Sequence, residues 1–356
     1  MTLHLSMRNR VEQLDGLRGI FSILVIAHHH NAFRDSIFYN NFFVINSSLF
    51  VDFFFVLSGF VIAMNYIEKI HTGEDIATFL KKRFVRLYPL LFYTEVIFII
   101  ANLVGDHSAL KNMTDMRLSY YLRSGLDTLT FMGSTPILGD WMGINYPAWS
   151  ISSEMISYVV FGLVLLFIPS KKYLVFILLS LTCVGFIVAK NDYMLVYDYG
   201  FVRGLLCFCM GIFTFTFLKN RTLELTYLEI PFLILLVSAM YATHHYEWNL
   251  IRLIFPVLFS IGIIIFASST GIVTRLLSSA PFQYLGKISY SIYLNHAIVL
   301  IFVNICIFRI FKAVPTEPMI AFSLITSISL TLIYSHFTYD LIEKRFGKFL
   351  KSKLDL

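Results

Sequence analysis

The chain has 356 residues, 57% of them hydrophobic and only 14% charged, with a net charge of +6. A soluble domain of this length would be about a quarter charged, so composition excludes a water-soluble enzyme and points to a membrane protein. The four cysteines, Cys183, Cys207, Cys209 and Cys306, all lie in apolar stretches; they read as small hydrophobes rather than as disulfide partners or metal ligands, and no metal site is expected.

A helix needs about 20 apolar residues to cross a bilayer, and runs of that kind recur along the chain. Ten spans are predicted, over residues 16–33, 45–66, 88–105, 149–168, 172–189, 200–217, 228–243, 250–268, 288–310 and 318–340. They are too long and too evenly apolar for barrel strands, so the expected fold is an all-α polytopic helical bundle. The first apolar run lacks the small-residue cleavage site of a signal peptide. Ten spans put both termini on one side, which holds eighteen Lys and Arg against seven on the other. The positive-inside rule makes that side cytoplasmic. The positive charge is then a topology signal and calls for no nucleic-acid partner. Residues 11–345 are expected to form one domain, followed by a short basic cytoplasmic tail over 346–356. The long connection between the third and fourth spans lies outside, and its Trp141 is available to stack on a sugar.

The first span carries unusual cargo in the run LDGLRGIFSILVIAHHH, residues 14–30. Arg18 and His29 are eleven residues apart, within about 20° of three full turns, so they share one face about 16 Å apart along the axis. His28 and His30 point about 100° to either side, so a straight helix cannot converge the triplet on one metal. Ionisable groups in hydrocarbon face a protein interior or a watery cavity. In LFVDFFFVLSGFVI, residues 49–62, Asp52 sits near the outer end of the second span and could orient a histidine, or could rest at the membrane boundary. Gly59 allows close backbone approach. In FLKKRFVRLYP, residues 79–89, Arg83 and Arg86 share a face. They suit phosphate by bidentate hydrogen bonding, with ordinary positive-inside anchoring as the alternative. In PAWSISSEMISYVVFG, residues 147–162, Glu154 is the only acid of its span and Tyr158 continues its face. Trp149 and Ser150 begin the same helix. In LGKISYSIYLNHAIVL, residues 285–300, Ser289, Tyr293 and His296 form one polar stripe on an apolar helix. His336, Tyr339, Asp340 and Glu343 share a face near the end and are expected to serve structure or salt bridging. Arg203 and Arg252 lie in or near spans and have no role assignable from spacing.

These five elements, in this order over residues 11–345, resemble the acyltransferase 3 family of integral membrane proteins, which move acyl groups, often acetyl, onto sugars and other acceptors. Asn295 stands where the family usually has an aromatic, and Arg345 where Pro is common. The resemblance implies a membrane O-acyltransferase with no permanently bound cofactor and acetyl-CoA as co-substrate. His29, Asp52 and Glu154 are the expected catalytic residues, with His29 either a general base or the site of a covalent acyl relay. Arg18, Arg83 and Arg86 are the expected donor-binding residues. Trp149, Ser150, Tyr158, Tyr293 and His296 are expected to line the lumen or meet the acceptor. The expected partners are acetyl-CoA, membrane lipid and a glycan acceptor, free or lipid-linked. Lipopolysaccharide O-antigen or an exopolysaccharide is favoured on the family's habits, and the bacterial inner membrane is the expected location. A transporter or flippase with a His/Arg/Glu pathway is the competing class, and a structural scaffold a further one.

Overall fold

A computed structural model describes residues 11–106, 118–138, 143–246 and 248–356. Among these the fold is helical throughout, without a strand. The principal helices are α1 (Glu12–His29), α2 (Phe50–Tyr66), α3 (Gly73–Asp106), α4 (Leu118–Leu129), α5 (Trp149–Phe167), α6 (Lys172–Lys190), α7 (Gly200–Leu218), α8 (Glu229–His245), α9 (Phe255–Ala267), α10 (Ala280–Asn304), α11 (Glu317–Thr338) and α12 (Gly347–Lys353). Single-turn and 3-10 pieces join several of them.

Among the described residues, nine helical stretches are long and apolar enough to span a membrane. The tenth expected span, α1, falls short of that standard because Glu12, Asp15 and Arg18 lie within its eighteen residues. It nevertheless packs along α10, which leaves Asp15 and Arg18 only partly exposed, while Glu12 is exposed at the start of the helix. The boundaries shift in two informative places. The third span is the outer part of a 34-residue helix, so Arg83 and Arg86 ride on α3 itself. The last span does not stop at a loose tail: α11 passes into a π-helical segment, Tyr339–Phe346, and then into α12. Trp141 lies outside the described residues.

Burial separates central from peripheral helices. On α7, fourteen of nineteen residues are buried, whereas α6 buries only Phe176, Cys183 and Ile187. Leu174, Ile177, Leu178, Leu181 and Val188 are exposed on α6, an apolar face that fits lipid and would be costly in water. At the basic end, Glu68 receives Lys172 and Lys219, each at 3.2 Å. Partial burial works against its ionisation, but the hydrogen bonds from Lys219 and Lys172 outweigh this and hold the carboxyl below its usual range.

Glycine sets two close helix crossings. A Cβ on Gly59 would lie 2.0 Å from the Phe208 carbonyl oxygen, and one on Gly211 would lie 2.0 Å from that of Val56. These positions bring α2 and α7 into backbone contact. The second crossing joins α1 to α10: a Cβ on Gly286 would lie 2.1 Å from the Asp15 carbonyl oxygen, and one on Gly19 would lie 2.7 Å from the Gly286 nitrogen. Lipid supplies no hydrophobic drive between helices, so small residues that let backbones meet are a main source of packing energy. Gly59→Ala or Gly211→Ala should therefore destabilise the protein by at least ~1–3 kcal/mol. Gly185→Ala, where a Cβ meets nothing within 4 Å, should be close to neutral. Melting temperatures of the three variants in one detergent check this ordering.

Candidate active site

The α1–α10 crossing brings His29 against His296. His29 Nδ1 lies 3.0 Å from His296 Nε2, with the rings 4.9 Å apart and 29° from parallel. His296 Nδ1 in turn lies 2.6 Å from the carbonyl oxygen of Tyr293. A carbonyl only accepts, so His296 Nδ1 carries its proton and the neutral ring presents Nε2 as an acceptor. His29 Nδ1–H must then be the donor. That leaves the lone pair on His29 Nε2, the arrangement a proton acceptor needs. His296 is fully buried, whereas His29 keeps partial exposure. The Tyr146 ring, 4.7 Å from that of His29, flanks the pair.

The neighbouring histidines diverge as the helical spacing predicts. His28 Nδ1 meets the Val44 carbonyl at 3.1 Å. His30 Nε2 meets Ser323 Oγ at 3.1 Å, and that hydroxyl donates to Asn304 at 2.7 Å. No group of three potential metal ligands gathers among the described residues.

A cavity of about 820 Å³ opens at the basic end of the bundle. Seven basic side chains and the carboxylates of Glu154 and Glu343 line it, together with Phe54, Ser150 and Tyr293. Arg18, Arg83 and Arg86 all reach its wall. Arg18 also meets Asp15 at 3.4 Å. Arg83 sits beside the rings of Tyr66, Phe79 and Tyr158, 5.5–6.0 Å from their centres, and donates to Tyr66 Oη at 3.3 Å. Its Nε is buried without a partner. Glu154 accepts from Tyr158 and from Ser58, the latter at 2.7 Å. Ser150 Oγ lies 2.9 Å from Tyr293 Oη, which donates to the Pro147 carbonyl at 3.2 Å. Tyr293 links the two halves of the site: its ring faces the cavity, its carbonyl anchors His296, and its ring centre is 5.9 Å from that of His296.

His29 and His296, the latter expected to line the lumen, are not part of the cavity wall and adjoin it through Tyr293; two further expected site residues, Asp52 and Trp149, lie elsewhere. Asp52 does not orient His29. Its Oδ1 receives Arg203 Nε at 2.7 Å and its Oδ2 receives Tyr193 Oη at 2.9 Å. Trp149 is buried and does not line the cavity; it packs beside the Arg203 guanidinium, 5.6 Å away, and edge-on to Phe55. The side chains of Asp52 and Arg203 are 0% and 1% exposed, so charge neutralisation inside the bundle accounts for both. Arg203, without a role in the sequence reading, is thus the partner of Asp52. Arg252 bonds Asn249 on a 3-10 segment away from the cavity. Among the late polar residues, Asp340 meets Lys344 at 3.4 Å and Arg345 at 2.7 Å, as salt bridging required. Tyr339 and Glu343 instead face the cavity, with Glu343 accepting from Ser291.

Removing one member of a buried ion pair strands the other charge and costs about 3–5 kcal/mol. Asp52→Asn should accordingly lower the melting temperature sharply, and the combined change Asp52→Leu with Arg203→Met should recover much of the loss. A loss of activity in the combined variant larger than its loss of folded protein would return Asp52 to the chemistry.

The acyltransferase domain family matches residues 11–337. Among curated proteins, the chain is 32% identical over 160 residues to protein 2 in the picA locus of Rhizobium radiobacter, covering 42% of this chain and 79% of that one. It is 23% identical over 369 aligned positions to the O-acetyltransferase OatA of Staphylococcus aureus, covering 94% of this chain and 58% of OatA. It is 30% identical over 161 residues to the acyltransferase MdmB of Streptomyces mycarofaciens, covering 43% of this chain and 39% of MdmB. The chain therefore spans little more than half the length of OatA. No solved structure matches it. With nearly the whole helical bundle inside the matched region, this chain belongs to the acyltransferase 3 family and is a multi-pass membrane acyltransferase.

Proposed function

We propose that the protein is an O-acetyltransferase that takes acetyl from acetyl-CoA at the cytoplasmic face of a bacterial inner membrane and places it on a hydroxyl of a cell-surface glycan. The observation that carries this reading is a cavity walled by basic side chains whose lining residue Tyr293 adjoins a histidine pair held with one imidazole nitrogen free as a base. Coenzyme A is a polyanionic head on a long uncharged arm. The cavity wall combines seven basic side chains with hydroxyls and aromatic rings, the two kinds of surface such a donor needs. The O-acetyltransferase name of one relative supports acetyl as the group and oxygen as the acceptor. Lipopolysaccharide O-antigen or an exopolysaccharide remains the favoured glycan.

The chemistry follows from the histidine tautomers. A sugar hydroxyl is a weak nucleophile near neutral pH. His29 Nε2 takes its proton as the oxygen attacks the thioester carbonyl carbon. The resulting imidazolium keeps its Nδ1–H on His296 Nε2, so His296 holds the ring in orientation without itself meeting substrate. The tetrahedral intermediate then breaks its carbon–sulfur bond. The thiolate leaves with the proton from His29 Nε2, giving the acetyl ester and free CoA thiol and regenerating the neutral base. Arg18, Arg83 and Arg86 hold the donor's phosphates. Glu154, bonded by Ser58 and Tyr158, fixes the middle of the cavity wall against which the pantetheine arm passes.

The test compares surface glycan from cells that express equal amounts of wild type, His29→Gln, His296→Leu and His30→Gln. O-acetyl signals in the NMR spectrum should appear with wild type and His30→Gln. His29→Gln should reduce the transfer rate by at least ~10²-fold, and His296→Leu should slow it strongly through a lower kcat with little change in KM for acetyl-CoA. Full acetylation by His29→Gln would sink the base assignment. A wild-type protein that neither acetylates glycan nor consumes acetyl-CoA would sink the whole reading.

A further inference from the structure

We propose that the segment beyond the family domain is part of the donor site: α12 supplies Lys348 and Lys351 as a second basic wall that binds the phosphate groups of the donor's nucleotide. This inference rests on the acetyl-CoA reading above. The family match ends at residue 337, yet the cavity wall continues into the π-helical segment and α12, including Lys348 and Lys351. The chain is held there. Glu343 of the π-helical segment accepts from Ser291 on α10, and Asp340 ties down Lys344 and Arg345. The wider π turns carry the helix axis on from α11 to α12 without a loop, and α12 packs beside α3 and lines the same cavity as Lys82 and Arg86 of that helix.

Not every nearby cation is available to a ligand. Lys172 and Lys219 are committed to Glu68, and Lys344 to Asp340. Lys348 and Lys351 have no ion-pair partner among the described residues. Three residues apart on one helix, they project from the same face into the cavity that Lys82 and Arg86 also line. Two pairs of cations on two helices lining one cavity suit a ligand whose phosphates are spread along a nucleotide better than a single phosphate. Anionic lipid headgroups carry the same chemistry, and the experiment separates the two sources.

Purified Lys348→Ala, Lys351→Ala and the double variant are assayed in neutral detergent with acetyl-CoA and with S-acetylpantetheine, which keeps the thioester and arm but has no phosphate. The expected result is a fall in the kcat/KM preference for acetyl-CoA over S-acetylpantetheine by about tenfold per lysine, carried mainly by KM. Lys353→Ala changes the same helix outside the cavity and should keep the wild-type preference. An unchanged preference in the double variant overturns the inference while leaving the acetyl-CoA reading intact. So does a loss confined to phosphatidylglycerol-containing vesicles and absent from detergent, because the lysines would then be reading lipid. A wild type inactive on acetyl-CoA fails at the earlier step and takes this inference with it.

Discussion

Gly286 has no side chain to hold α10 away from α1, and the deep end of the site depends on that contact. With the Asp15 carbonyl and the Gly286 backbone touching, the two helices run side by side. Ten residues further along α10 and fourteen further along α1, the rings of His296 and His29 meet within hydrogen-bond range. Larger residues at the crossing would separate the axes by more than a hydrogen bond tolerates. The same contact lets Arg18 remain in a mostly apolar helix, since the flank of α1 that would otherwise meet lipid meets the cavity and its carboxylates instead.

In the proposed mechanism the histidine pair does with two neutral rings what a carboxylate and a histidine do in many hydrolases. The backbone carbonyl of Tyr293 fixes the proton on His296, and His296 fixes the proton on His29. No buried negative charge is needed beside the base. That suits a membrane interior, where an unpaired carboxylate is expensive. The carboxylate that does lie deep in α2, Asp52, is spent on Arg203, and that pair together with Tyr193 and Trp149 locks α2, α5 and α7 together. The proposed chemistry and the Asp52–Arg203 scaffold thus fall in different polar clusters of one bundle.

Charge is distributed along the bundle in keeping with this division. Along α5 the cavity wall passes from Tyr158 through Glu154 to Ser150, while its seven basic side chains come from α1, α3 and the segment after α11. A donor with an anionic head and a neutral arm would find its charges matched only in one orientation, thioester inward. Arg83 supports such selection through its aromatic surroundings, which leave its Nε buried without a partner.

The sequence by itself determined the bundle, because a run of about 20 apolar residues has few alternatives to a helix in lipid. It also determined which face of α1 carries Arg18 and His29, because helical periodicity is local, and it marked Gly59 as a close-approach position. Three matters waited for the tertiary structure. The first is the partner of each buried charge: Asp52 could be placed on its helix, but a pairing with Arg203 across 151 residues depends on how α2 and α7 cross. The second is the tautomer of His29, which passes through His296 to a backbone carbonyl that periodicity cannot locate. The third is the course of the chain after α11. Its basic residues read as a solvated tail, and only the packing of the π-helical segment against α10 turns them into a wall of the cavity. Each is a contact between elements distant in sequence, where geometry rather than local preference sets the outcome.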